Sequence, residues 1–92
     1  MPLQFEWSVQ KAKRNLKRHG VSFEEATTVF SDPLSLTITD PDHSEAERRF
    51  VDVGLSHRSR LLVVSYTERD ARIRIISARI AAAAERRTYE ET

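Results

Sequence analysis

Arginine is the residue type in this 92-residue chain best suited to do chemistry. Arg60, Arg69, Arg72, Arg74 and Arg79 crowd into one stretch, and Lys11, Lys13, Arg14, Lys17 and Arg18 into another. A guanidinium offers a phosphate two parallel donors and keeps its charge near neutral pH. Set against a phosphate that gathers negative charge as it reacts, it stabilises the transition state more than the starting material. Cleavage of RNA by its own 2′-hydroxyl is a reaction of this kind. It also needs a base for the 2′-proton and an acid for the leaving 5′-oxygen. Glu68 and His57 have the side-chain types for those transfers. Tyr66 and Tyr89 could donate a proton in a perturbing environment, or orient a substrate.

Other chemistries are poorly served. The glycines are Gly20 and Gly54, which leaves no glycine-rich phosphate loop. There is no cysteine, so neither a disulfide nor a thiolate metal site can form, a composition compatible with a reducing cytoplasm. His19, His43 and His57 fall in three separate segments and lack metal-ligand spacing, so no metal or cofactor is expected. No apolar run approaches the ~20 residues of a membrane span. The net charge is +1, so the warrant for a polyanionic partner lies in how the cations cluster, not in their sum. Each candidate also has an ordinary role. Arg72 and Arg74 could be solvated strand residues, Glu68 and Arg69 turn decoration, Tyr89 a packing aromatic and His19 a helix-end residue.

The elements that must position these residues read as one domain over residues 1–92. Ser8 caps a first helix whose apolar face is Val9, Ala12 and Leu16, and Gly20 stops it. Ser22 opens a second helix, with Glu25 completing a capping box and Phe23, Ala26, Val29 and Phe30 as its buried stripe, ended by Asp32-Pro33. Leu34 to Thr39 alternates as a strand, Asp40-Pro41-Asp42-His43-Ser44 reads as a turn, and Glu47 to Leu55 is the next strand. Leu61 to Val64 is a continuous apolar run, typical of a strand covered on both faces. Glu68 to Ala71 is a hairpin loop, and the return strand puts Arg72 and Arg74 opposite Ile73 and Ile75. By the same parity Arg79 would point toward the core if the strand continued. Ile80 to Glu91, with four alanines, is the last helix. The expectation is an α+β fold: two N-terminal helices, a four-stranded antiparallel meander and a C-terminal helix, with the helices on one sheet face.

Taken together, certain residues carry a resemblance that covers nearly the whole chain. They are Phe5-Glu6-Trp7, Lys11, Asn15, Lys17 to Ala26, Asp40 to Ser44 with Arg48, Arg60 to Val64, Tyr66 to Arg69, Arg74 to Arg79, and Glu85-Arg86-Arg87 with Tyr89-Glu90. In order and spacing they resemble the BrnT family of toxins from bacterial type II toxin–antitoxin pairs. Ser8 departs from the family's usual Asp after the Trp, a change between two good helix caps. Ile80 to Ala84 is more apolar than the family's basic stretch there.

The resemblance implies a RelE-like fold and a metal-independent ribonuclease that arrests translation. It also implies a BrnA-like antitoxin that covers the toxin, contacts DNA on behalf of the complex, and assembles with it in paired chains. On the matched positions it implies Glu68, Arg74, Arg79 and Tyr89 as catalytic residues. Lys11, Arg60, Arg69 and Arg72 are the cations expected to hold RNA. The competing expectation is a non-enzymatic module that binds RNA or protein with the same basic face.

Overall fold

The computed structural model describes residues 3–39 and 48–91. The turn expected over Asp40 to Ser44, with His43, and the expected strand start at Glu47 lie outside the described residues. The chain runs β1 (Gln4–Glu6), α1 (Val9–His19), α2 (Phe23–Thr27), a 3-10 turn (Thr28–Ser31), β2 (Leu36–Thr39), β3 (Arg49–Leu55), β4 (Leu61–Arg69), β5 (Arg72–Ile80) and α3 (Ala83–Glu90). No helix among the described residues is long and apolar enough to cross a membrane.

The sheet has five strands in the order β1-β5-β4-β3-β2. β2 to β5 form the antiparallel meander. The expected four-stranded, wholly antiparallel sheet is corrected by β1, which pairs parallel with β5 from Gln4 opposite Arg72 to Glu6 opposite Arg74. A strand of three residues shows almost no periodicity of its own; its partner across the sheet makes it a strand. The hairpin loop is also shorter than expected. β4 runs through Arg69 and β5 restarts at Arg72, so the turn is Asp70-Ala71, at φ 48° and 67°. Positive φ at both positions is the primed geometry that matches strand twist.

Cross-strand partners share a face, so the register sorts the side chains. Leu62, Val64, Tyr66, Ile73, Ile75 and Ala78 face Val21, Phe23, Ala26 and Val29 in the main core. Val53, Leu61 and Val63 form a smaller cluster with Ala81 and Tyr89 on the other face. The Leu61–Val64 run is thus buried on both sides, as its composition requires. The helices, expected on one face, divide: α1 and α2 cover one side, and α3 lies over the second cluster.

A bulge in β5 resets its parity. Tyr66 pairs with Ile75 but Ser65 pairs with Ser77, leaving Ile76 as the extra residue. Ala78 therefore enters the core, and Arg79, opposite Val63, shares the face of Arg74. Simple alternation along the continued strand would turn Arg79 toward the core; this one residue puts it on the opposite face.

α1 keeps its expected caps: Ser8 accepts from the Lys11 amide and Gly20 adopts φ 70°. Its buried face differs. Val9 and Leu16 are 64% and 51% exposed, and the helix docks instead through half-buried Ala12 and buried Asn15. Asn15 Nδ2 donates to the carbonyls of Val21 at 2.9 Å and Ala78 at 2.8 Å, and its Oδ1 accepts from the Ala78 amide at 3.1 Å. Ser22 caps α2 through the Glu25 amide, but the Glu25 carboxylate does not return to complete a capping box. It turns inward to Ser56 and Arg60. α3 begins at Ala83, not Ile80, because Ile80 is still paired with Leu62. Glu85 accepts from the Ala82 amide at 2.8 Å and so closes the helix start.

Candidate functional site

The arginines of the 60–79 stretch occupy three separate places. The first is the β1–β5 side of the sheet, on the face opposite α1 and α2. Arg74 Nη1 lies 3.0 Å from Glu6 Oε2, and Arg72 Nη1 lies 3.7 Å from Glu6 Oε1. Both sides remain open to solvent, at 57% for Arg72, 32% for Arg74 and 27% for Glu6. Thr67 stands beside Arg74 on β4, and Arg49 stands beside Thr67 on β3. Arg69 pairs with Arg72 one row further on. This cluster owes its existence to β1, which carries Glu6 to the arginines from the far end of the chain.

The second place is the end of β5. Arg79 binds Glu85 through two nitrogens, at 2.8 and 2.5 Å, and also reaches the Ile80 carbonyl. The Arg79 hydrogen bonds hold the Glu85 carboxyl below the usual carboxylate range. Along the strand, Arg79 is about 15 Å from Arg74, so the two share a face but not a single small site.

The third place is the interior edge of α2. Arg60 donates from Nε to Glu25 Oε2 at 2.9 Å, pairs with Oε1 through Nη2, and donates to the Gly20 carbonyl. Glu25 is 2% exposed, and the Arg60 hydrogen bonds hold its carboxyl down at about 2. A buried carboxylate bound this way fixes the fold, so Arg60 moves from the expected RNA contacts to the structural frame.

Glu68 and Tyr89 are not brought to Arg74. Glu68 stands opposite Ile73, on the other sheet face, and is exposed. Tyr89 donates to Asp32 Oδ2 at 2.7 Å, and that bond pushes its hydroxyl up to about 12. Burial pushes Asp32 upward, yet the hydrogen bonds from the Leu55 amide, Tyr89 and the Leu34 amide outweigh it and leave the carboxyl low. Tyr66 is buried and donates to Asp52 at 3.0 Å; burial, then the Asp52 charge, raise it far from any acid role. The His57 amide donates to Thr28 Oγ1 at 2.9 Å, and its ring lines a shallow apolar hollow away from the sheet arginines.

Lys11 lies on α1 beside a groove of about 260 Å³, with Arg14, Arg18, His19 and Ser77. Lys11, Arg14 and Arg18 have no ion-pair partner among the described residues, which leaves their charge available to a polyanion. Glu6 is the residue that sequence reasoning passed over as a functional group. It sat in the Phe5-Glu6-Trp7 motif, but nothing local says that it meets Arg74.

Comparison with known families gives a match over residues 7–85 to the ribonuclease toxin BrnT of type II toxin–antitoxin systems. The chain belongs to the BrnT family. The crystal structure of the Brucella abortus ribonuclease toxin BrnT has the same fold, with a TM-score of 0.65 over 88% of this chain and 99% of that one. The two are 18% identical, so that likeness speaks to the fold. No curated protein matches the chain. Membership makes the chain a ribonuclease toxin with an RNA target and a protein antitoxin as partner. The mixed sheet and the divided helices are therefore the scaffold on which a BrnT toxin places its cations.

Proposed function

We propose that this BrnT-family chain cuts RNA by in-line attack of a 2′-hydroxyl on the adjoining phosphate, at the Glu6–Arg72–Arg74 cluster. The observation that carries this reading is a solvent-accessible carboxylate held between two guanidiniums on one sheet face. Glu6 takes the 2′-proton, the 2′-oxygen bonds to phosphorus, and the bond to the 5′-oxygen breaks. Arg74, with Arg72 beside it, meets the charge that builds on the phosphoryl oxygens. The products are a 2′,3′-cyclic phosphate and a 5′-hydroxyl, whose proton returns from Glu6 or from water. An ion pair this exposed has little net strength, so RNA can exchange into it.

Of the residues implied by family resemblance, Arg74 keeps the central role, and Arg79 serves as an outlying phosphate contact once Glu85 releases it. Glu68, on the opposite sheet face, and Tyr89, tied to Asp32, take no part in the chemistry at Arg74. Lys11 and its neighbours on α1 draw the RNA in, and Arg69 and Arg72 hold it near the cut. A BrnA-like antitoxin would silence the toxin in the cytoplasm by covering this charge, in a complex of paired chains that reaches DNA only through the antitoxin. Mapping RNA ends after incubation with purified protein, with EDTA present, tests this route: new 2′,3′-cyclic phosphate ends support it, and ends of another kind overturn it.

A further inference from the structure

Thr67 is 2% exposed, and its Oγ1 is a buried polar atom with no hydrogen-bond partner among the described residues. Buried hydroxyls are nearly always paired, and one that is not needs a reason. The reason lies in its row. Arg49 on β3 and Arg74 on β5 are its two cross-strand partners, on the same sheet face. Arg74 gives Glu6 a hydrogen bond from Nη1, which leaves other donors of its fork unused among the described residues. Arg49 has no ion-pair partner among the described residues. A hydroxyl donor between two guanidiniums matches a tetrahedral oxyanion, whose oxygens accept from all three at once.

We infer that the Arg49–Thr67–Arg74 row is a phosphate subsite, in which the Thr67 hydroxyl donates to a non-bridging oxygen of the RNA backbone. The inference rests on the ribonuclease reading above and adds a positioning residue to it. Thr67 carries no charge and moves no proton; it fixes where the phosphate sits between the arginines. In the free protein the hydroxyl is shielded, so the flanking side chains part as the phosphate enters, a rotamer change common where partners meet.

The test uses the full chain and two probes: an RNA oligonucleotide, and the same oligonucleotide with 2′-deoxy sugars, which cannot be cut by this route. Thr67→Val keeps the side-chain shape and removes the hydroxyl. It is expected to melt no lower than the wild type, because an unpaired buried group is lost, and to bind the 2′-deoxy probe about 10-fold more weakly. Thr67→Ser, which restores the hydroxyl, is expected to recover most of that binding. A titration of the wild type with inorganic phosphate, followed by NMR at the Thr67 methyl and amide, reads the subsite without any variant. Equal binding by wild type and a folded Thr67→Val, or no Thr67 response to phosphate, overturns the subsite. Cutting of RNA by both proteins at one rate would leave the ribonuclease reading standing without it. Thr67-dependent binding with no cutting would keep the subsite and overturn the ribonuclease reading.

Discussion

Asn15 grips both backbone groups of Ala78, accepting from its amide at 3.1 Å and donating to its carbonyl at 2.8 Å. This clamp falls two residues after the bulged Ile76 and one before Arg79. It holds the shifted strand against α1, and so decides which face Arg79 takes. Asn15→Ala would strand the buried Ala78 groups and leave a void. A loss of about 2–4 kcal/mol is expected in urea denaturation. A loss below about 0.5 kcal/mol, the level of an ordinary surface change, would mean the clamp is idle.

Glu25 and Arg60 make the fold sensitive to acid. The carboxyl sits at about 2 in the folded protein against an ordinary 4.5. A depressed carboxylate contributes stability that is full above its unfolded value and is lost as pH falls through the folded one. Stability should therefore drop between about pH 4.5 and 2 by on the order of 3 kcal/mol. Glu25→Gln should flatten that part of the profile, as read by urea midpoints at stepped pH.

A charge-assisted hydrogen bond from Tyr89 to Asp32 helps tie α3 to the body of the protein. Tyr89→Phe should cost about 1–2 kcal/mol of stability. The cutting rate of the folded fraction should stay within about threefold of the wild type, since the hydroxyl is committed to Asp32. A loss of rate without a loss of stability would return Tyr89 to the catalytic set.

The α1 cations, which have no ion-pair partner among the described residues, should appear as salt dependence. Arg14→Ala or Arg18→Ala should each lower the slope of log binding against log salt for a single-stranded RNA by about 0.7. Stability should barely move, because both side chains are exposed. An unchanged slope would remove α1 from the RNA path.

Much of this frame was legible in sequence because it is local. Ser8, Gly20 and Ser22 act within one turn of helix, and the Leu61–Val64 run states its own burial. The family resemblance was legible too, because it rests on order and spacing along the whole chain. What stayed hidden depends on partners far away in the chain. β1 becomes a strand only beside β5, and Glu6 becomes a candidate base only beside Arg74. Asn15 reads as one more polar helix residue until Ala78 is placed against it. The bulge at Ile76 leaves no mark in an apolar pair such as Ile75-Ile76, yet it reverses every later side chain in β5. Parity arguments carried across it, such as that for Arg79, necessarily fail.

Glu6→Gln puts the central claim to its most direct test. The substitution keeps the shape of the Glu6 side chain and removes its capacity to take a proton. Single-turnover cleavage of an RNA oligonucleotide should fall by about 10²-fold or more, the scale of a lost general base. Wild-type products should end in 2′,3′-cyclic phosphate, and a 2′-deoxy substitution at the cut site should abolish them. Wild-type cleavage rates in a folded Glu6→Gln protein would contradict the assignment of this cluster as the cutting site.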